Sequence, residues 1–178
     1  MARPVRFGPA DAMALVEYNH RLFDRFARQV RRLPRRAGFR KRGIGHETLF
    51  DTLVHIVNVQ EVWLLYINRG RNSDRELGSL FENPARHPKD WRDLDAYAER
   101  VWSEVEEVTE RLTAKELSAR VSVFWMKGRY TVRDGYLQAT FEEAMHIGEI
   151  IGALWQDDTA TRDMTWIDVR RPKRRRRR

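Results

Sequence analysis

Glu142 and His146 stand four residues apart in Phe141-Glu142-Glu143-Ala144-Met145-His146. On a helix that spacing puts a carboxylate and an imidazole on one face, one turn apart. Two such groups can share a metal ion, and Glu149 continues the stripe a turn later. An in-bundle ion needs a further donor from another helix. His55, alone in the apolar run Leu53-Val54-His55-Ile56-Val57, supplies one. Two histidines and one carboxylate leave coordination positions open for water or substrate, which is the catalytic rather than the structural arrangement. The set suits Zn, Ni, Fe or Mn without choosing among them. A water on such an ion has a lowered pKa and can serve as nucleophile or base. The plainer alternative is a core histidine bonded to a backbone carbonyl beside a weak surface ion pair, and spacing alone does not separate the two.

Other residues fall into lesser roles. His46, after Gly45 at a helix entrance, is a capping residue or alternative ligand. Glu149 is an alternative ligand or a group supporting one. Glu61, six residues past His55, lies on another face and reads as an ion-pair partner. His20 and His87 have no partner at ligand spacing. Trp63, Trp102 and Trp155 read as core or interface residues. Trp125 reads the same way or, with Tyr130, borders a substrate cleft beside the metal, an alternative that rests on position alone.

Four long segments with helical periodicity must position these groups. The first spans about residues 9–33, with Leu15, Leu22, Phe23, Phe26, Val30 and Leu33 on its apolar side and Pro34 as its stop. A basic loop, 35–45, ends in Gly43-Ile44-Gly45. The second helix, about 47–68, is apolar on more than one side and is expected to be central. A polar segment, 71–89, reads as a long connection. The third helix, about 91–112, carries a clean apolar stripe behind Asp90 as a cap. After a short turn or helix at 113–117, Val121 to Trp125 and Tyr130 to Val132 flank Lys127-Gly128-Arg129 and suggest a short hairpin or flap. Thr131 with Asp134 then forms a capping-box-like start to a fourth helix ending near Trp155. The expected fold is all-α, a four-helix bundle in which the long connection permits a crossover.

The chain has 178 residues and no cysteine, which excludes protein-thiol catalysis, disulfide scaffolds and Cys-type zinc fingers. No run approaches the ~18 apolar residues of a membrane span. No apolar signal core follows the first charges, so a cytoplasmic location is expected. The net charge of +8 is localised: residues 170–178 hold eight bases and no acid, leaving 26 bases against 26 acids elsewhere. Residues 1–169 are thus neutral overall; a bundle over 1–157 and a polar, then poly-Arg, tail over 158–178 are expected, the tail as a disordered segment. That tail could bind nucleic acid non-specifically, although no groove-reading motif accompanies it.

Glu17-Tyr18-Asn19, then Thr48-Leu49-Phe50-Asp51-Thr52-Leu53-Val54-His55-Ile56 with Glu61 and Trp63 behind, and finally Phe141 to Ile150, together resemble the DinB family. The resemblance covers about residues 10–155. It implies a four-helix bundle of non-sequential helix direction, a divalent metal held by three histidines, and a homodimer. Its first ligand falls on His55 and its last on His146. Its middle histidine falls on Glu142, a departure that adds a negative charge and favours a harder ion, and the family's Gln after Gly is here Glu149. The implied activity on a small-molecule substrate is a metal-dependent transferase, using a low-molecular-weight thiol whose pKa the metal lowers, or a hydrolase. The competing reading is a non-catalytic binding bundle with a degenerate metal site.

Overall fold

The computed structural model describes residues 7–34, 36–43, 46–123 and 125–161. The expected tail from residue 162 onward, and Ile44-Gly45 of the glycine-flanked loop, lie outside the described residues.

Helix α1, Pro9–Arg31, starts with proline in its first turn, where the missing N–H costs nothing, and ends three residues before Pro34. Its buried side is Ala12, Val16, Asn19, Phe23, Phe26 and Val30, the three-and-four spacing of one helix face. Helix α2, Leu49–Gln60, is capped by Thr48, whose hydroxyl accepts the Asp51 backbone N–H at 3.0 Å. The helix does not run on regularly to Asn68. It widens into a π turn, Glu61–Tyr66, and tightens into a 3₁₀ turn, Ile67–Arg69, closed by Gly70 in the left-handed region. A π turn re-aims the side chains that follow it by part of a turn, so Glu61, Val62, Trp63, Leu64 and Leu65 are all buried.

The segment read as a long connection contains a helix. Helix α3, Asp74–Phe81, begins with a reciprocal capping box between Ser73 and Glu76 and buries Leu77 and Leu80. Helix α4, Trp91–Glu110, starts at Asp90, which accepts the Asp93 N–H at 2.9 Å. After the single turn α5, Ala114–Leu117, strands β1, Arg120–Val123, and β2, Met126–Thr131, form the expected hairpin, antiparallel with Val121 opposite Tyr130. Helix α6, Val132–Gln156, opens with the expected box: Thr131 N–H donates to Asp134 at 2.8 Å and Asp134 N–H returns to the threonine hydroxyl at 3.4 Å.

The fold is mostly α. Helices α1 and α2 each pack on both α4 and α6, so the four long helices form a ring in which the consecutive pair α1 and α2 sit across the diagonal. It is therefore the α1-to-α2 connection that spans the diagonal, while α2 and α4, joined by the long connecting segment, pack as neighbours. One contiguous core runs through all four, with Leu22, Phe26, Leu53, Ile56, Leu94, Val101, Ile147 and Leu154 inaccessible or nearly so. Among the described residues no helix is long and apolar enough to cross a membrane.

Candidate metal centre

His55 and His146 come from facing helices, α2 and α6, and a third imidazole comes from the loop before α2. His46, His55 and His146 each offer a ring nitrogen, and these atoms all lie within 4.8 Å of one another. The rings of His46 and His55 stack with centroids 3.8 Å apart, and His146 meets them at 5.2 and 4.6 Å. Tetrahedral ligation at ~2.0–2.1 Å would space three nitrogens roughly 3.3 Å apart, so modest rotamer movements close the set on one ion.

The loop reaches the site through identifiable constraints. Glu47 adopts a left-handed conformation, φ 59°, which turns the chain back just before the cap of α2. Its carbonyl accepts the Arg42 N–H at 2.8 Å, and the His46 carbonyl accepts the Thr48 N–H at 2.6 Å. The Arg42 side chain, almost fully buried, pairs with Asp157 at 2.8 Å and donates to the Ala153 carbonyl at 3.5 Å. Arg42 thus ties the loop to the end of α6, and Thr48 ties His46 to the start of α2.

Electrostatics favour ligands over cations. Burial and the charges of His46, His146 and Arg86 push His55 down to about 3, so its imidazole is neutral at physiological pH with a lone pair to give. Burial likewise lowers His46, assisted by His146. His146 Nδ1 lies 2.9 Å from a Glu149 carboxylate oxygen. An ionised carboxylate only accepts, so Nδ1 carries the proton and Nε2 is left as donor to a metal, the usual support for a ligating imidazole. The donor chemistry thus fits a divalent ion of the Zn class, and the cluster could hold one.

Glu142 stands outside this three-histidine group and His46 inside it. The Glu142 carboxylate instead accepts from Gln138 Nε2 at 2.5 Å and lines a cleft of about 380 Å³ whose wall includes His55. Trp125 lines that cleft with Trp63, Phe81, Met126 and Arg86; Tyr130 does not, its hydroxyl donating to the Lys127 carbonyl at 3.1 Å. The remaining histidines have other partners: His20 sits between Glu106 and Gln60, and His87 bonds the Phe81 carbonyl. Glu61 is buried in an ion pair with Arg86 at 2.7 Å.

A family model described as DinB superfamily matches residues 18–150. The chain belongs to that superfamily. No curated protein matches it. In this DinB-superfamily protein the three clustered imidazoles come from α2, α6 and the loop before α2, and Glu142 of α6 lies outside them. Periodicity could not single out His46 because it lies in no periodic element; the legible signal was only its position two residues before the cap of α2.

Proposed function

We propose that this DinB-superfamily protein is a metal-dependent enzyme. In this reading His46, His55 and His146 hold one divalent ion, and a small molecule reacts in the adjoining cleft by group transfer or hydrolysis. The observation that carries the reading is the convergence of three imidazoles from three separate stretches of chain, their ring nitrogens within 4.8 Å, at the edge of an apolar-walled cleft. Three protein ligands leave a coordination position free for chemistry. When bound, the ion supplies Lewis acidity, lowering the pKa of a water or of a low-molecular-weight thiol at that position.

The protein's own groups do the rest. Glu149 fixes the tautomer of His146. Trp63 and Trp125, edge to face with centroids 6.4 Å apart, form an apolar wall of the cleft. Glu142 is the single carboxylate among the described lining residues, so it is the group positioned to take a proton from a molecule bound there. Elemental analysis of purified protein, followed by chelation and zinc titration, tests the reading. One equivalent of ion, lost in the His146→Ala protein, is the expected result; protein that takes up no zinc, nickel or manganese would refute it.

We also infer a homodimer built on α6. Phe141, Met145 and Trp155 are 70%, 55% and 64% exposed, and with Gly148 and Gly152 they follow a four-three-four-three spacing along one helix face. That is the seam of a two-helix coiled contact, and neither glycine has a neighbour within 4 Å of where a Cβ would stand, which leaves room for a second backbone.

A further inference from the structure

Arg86 ends a 3₁₀ turn, Pro84–Arg86, between α3 and α4, and is only 2% exposed. Its Nε donates to Glu61 Oε2 at 2.7 Å and its Nη2 to the Asn58 carbonyl at 3.3 Å, whereas among the described residues Nη1 has no partner. Glu61 does not serve Arg86 alone. Its other oxygen accepts from Arg100 at 2.7 Å, and the Tyr97 hydroxyl donates to Oε2 at 2.8 Å. One buried carboxylate is therefore shared between two guanidiniums. Arg100, with its side chain 40% exposed, reaches solvent and a second acid, Glu104, at 3.2 Å. Among the described residues Arg86 pairs with no second acid, so the uncompensated part of the charge resides on it. A buried, half-neutralised guanidinium is costly unless an anion completes it, and its planar fork matches a carboxylate.

The surroundings specify the rest of such an anion. Arg86 lines the same cleft as His55. Phe81, Trp125 and Met126, three of the exposed large apolar side chains, converge there, with Trp63 behind. The guanidinium lies 5.1 Å from the Phe81 ring centroid. Glu142, the cleft's carboxylate, repels an anion and so sorts a ligand's acidic group toward Arg86. One free guanidinium nitrogen suits a monoanion rather than a phosphate dianion, which needs several donors.

Resting on the reading of this cleft as the substrate site, we propose that the substrate class is a small carboxylic acid with an apolar or aromatic body. Its carboxylate binds Arg86 Nη1, its body lies among Trp63, Phe81, Trp125 and Met126, and its reacting end is left beside the histidine centre. The test uses phenylacetate and the uncharged phenylacetamide, titrated calorimetrically into full-length protein, first stripped of metal by chelation and then loaded with zinc. Phenylacetate is expected to bind at least about tenfold tighter than the amide in both forms, as a charge-assisted bond to a desolvated guanidinium requires. Arg86→Gln should erase that preference while the protein still takes up one equivalent of zinc, and Arg86→Lys should retain part of it. The metal-free wild-type comparison needs no variant, so it decides even if Arg86→Gln fails to fold. Equal binding of both probes to the metal-free protein overturns the proposal. So does a preference seen only with zinc, because the ion would then be the carboxylate's partner. Failure to bind zinc with the charge preference intact would sink the metal reading and leave Arg86 as the anion anchor.

Discussion

Each histidine of a three-ligand centre carries a large share of the binding free energy, so losing one should be felt sharply. A zinc site worth ~10–16 kcal/mol loses on the order of 3 kcal/mol or more with one donor, which is about 100-fold in affinity. His46→Ala, His55→Ala and His146→Ala are each expected to lower zinc affinity at least that much in competition with a chelating dye. Glu142→Gln should leave it within about threefold. Glu149→Gln should cost about 10-fold, because it replaces the charged acceptor that fixes the His146 tautomer with a weaker neutral amide. The reverse pattern, with Glu142→Gln as damaging as His146→Ala and His46→Ala harmless, would reassign the ligand set to His55, Glu142 and His146. A second residue-scale prediction concerns Glu143, which is buried and accepts from Gln60 Nε2 at 2.9 Å, while Gln60 in turn meets His20 at 3.2 Å. Burial holds the Glu143 carboxyl well above its ordinary 4.5, against the pull of the Gln60 hydrogen bond. The folded chain therefore keeps a proton that the unfolded chain gives up. Its contribution to stability is full below the unfolded value and declines as pH rises from there. Urea midpoints of the wild type should fall relative to Glu143→Gln between pH 5 and pH 8; a gap that does not change with pH contradicts this.

At the scale of the element, the start of α2 is expected to couple stability to the three-histidine cluster. Thr48 both caps that helix and, through its backbone N–H, anchors the His46 carbonyl. Thr48→Ala is expected to cost about 1 kcal/mol of stability and to lower Tm by roughly 2–4 °C. Zinc affinity should fall with it; an unchanged affinity would show that the cap does not hold His46. The same scale shows how much of the fold was legible. α1, α4 and α6 were readable to within two residues because a single apolar stripe, a proline stop and the Asp90 and Thr131 caps agree with one another. α3 stays hidden in a polar segment although Ser73 and Glu76 spell a capping box, because two buried leucines in eight residues give too short a stripe. The π turn after α2 left no signal in the pattern, since a run apolar on several sides tolerates a change of pitch.

At the scale of the whole molecule, the exposed seam of α6 gives the assembly its test. Phe141→Glu combined with Met145→Glu places two like charges at the centre of the proposed helix pair. Sedimentation should then change from dimer to monomer with the melting temperature of each subunit's core little altered, because neither side chain is buried in the subunit. A wild-type protein that sediments as a monomer would dismiss the seam as an interface.

By itself the sequence determined α1, α4 and α6, the Asp90 and Thr131 caps, the hairpin, the neutral body and two of the converging histidines, because those features are written in local spacing and in the exclusion of apolar faces from water. Family resemblance extended that to the bundle and the metal. Only the tertiary structure decided the third imidazole and the character of the cleft. His46 joins the centre through a left-handed Glu47 and a buried Arg42–Asp157 pair, and Arg86 becomes half-neutralised only because Arg100, from a different helix, claims the same carboxylate. Contacts between residues far apart in the chain depend on how whole helices pack, and that information is carried by no single stretch of residues.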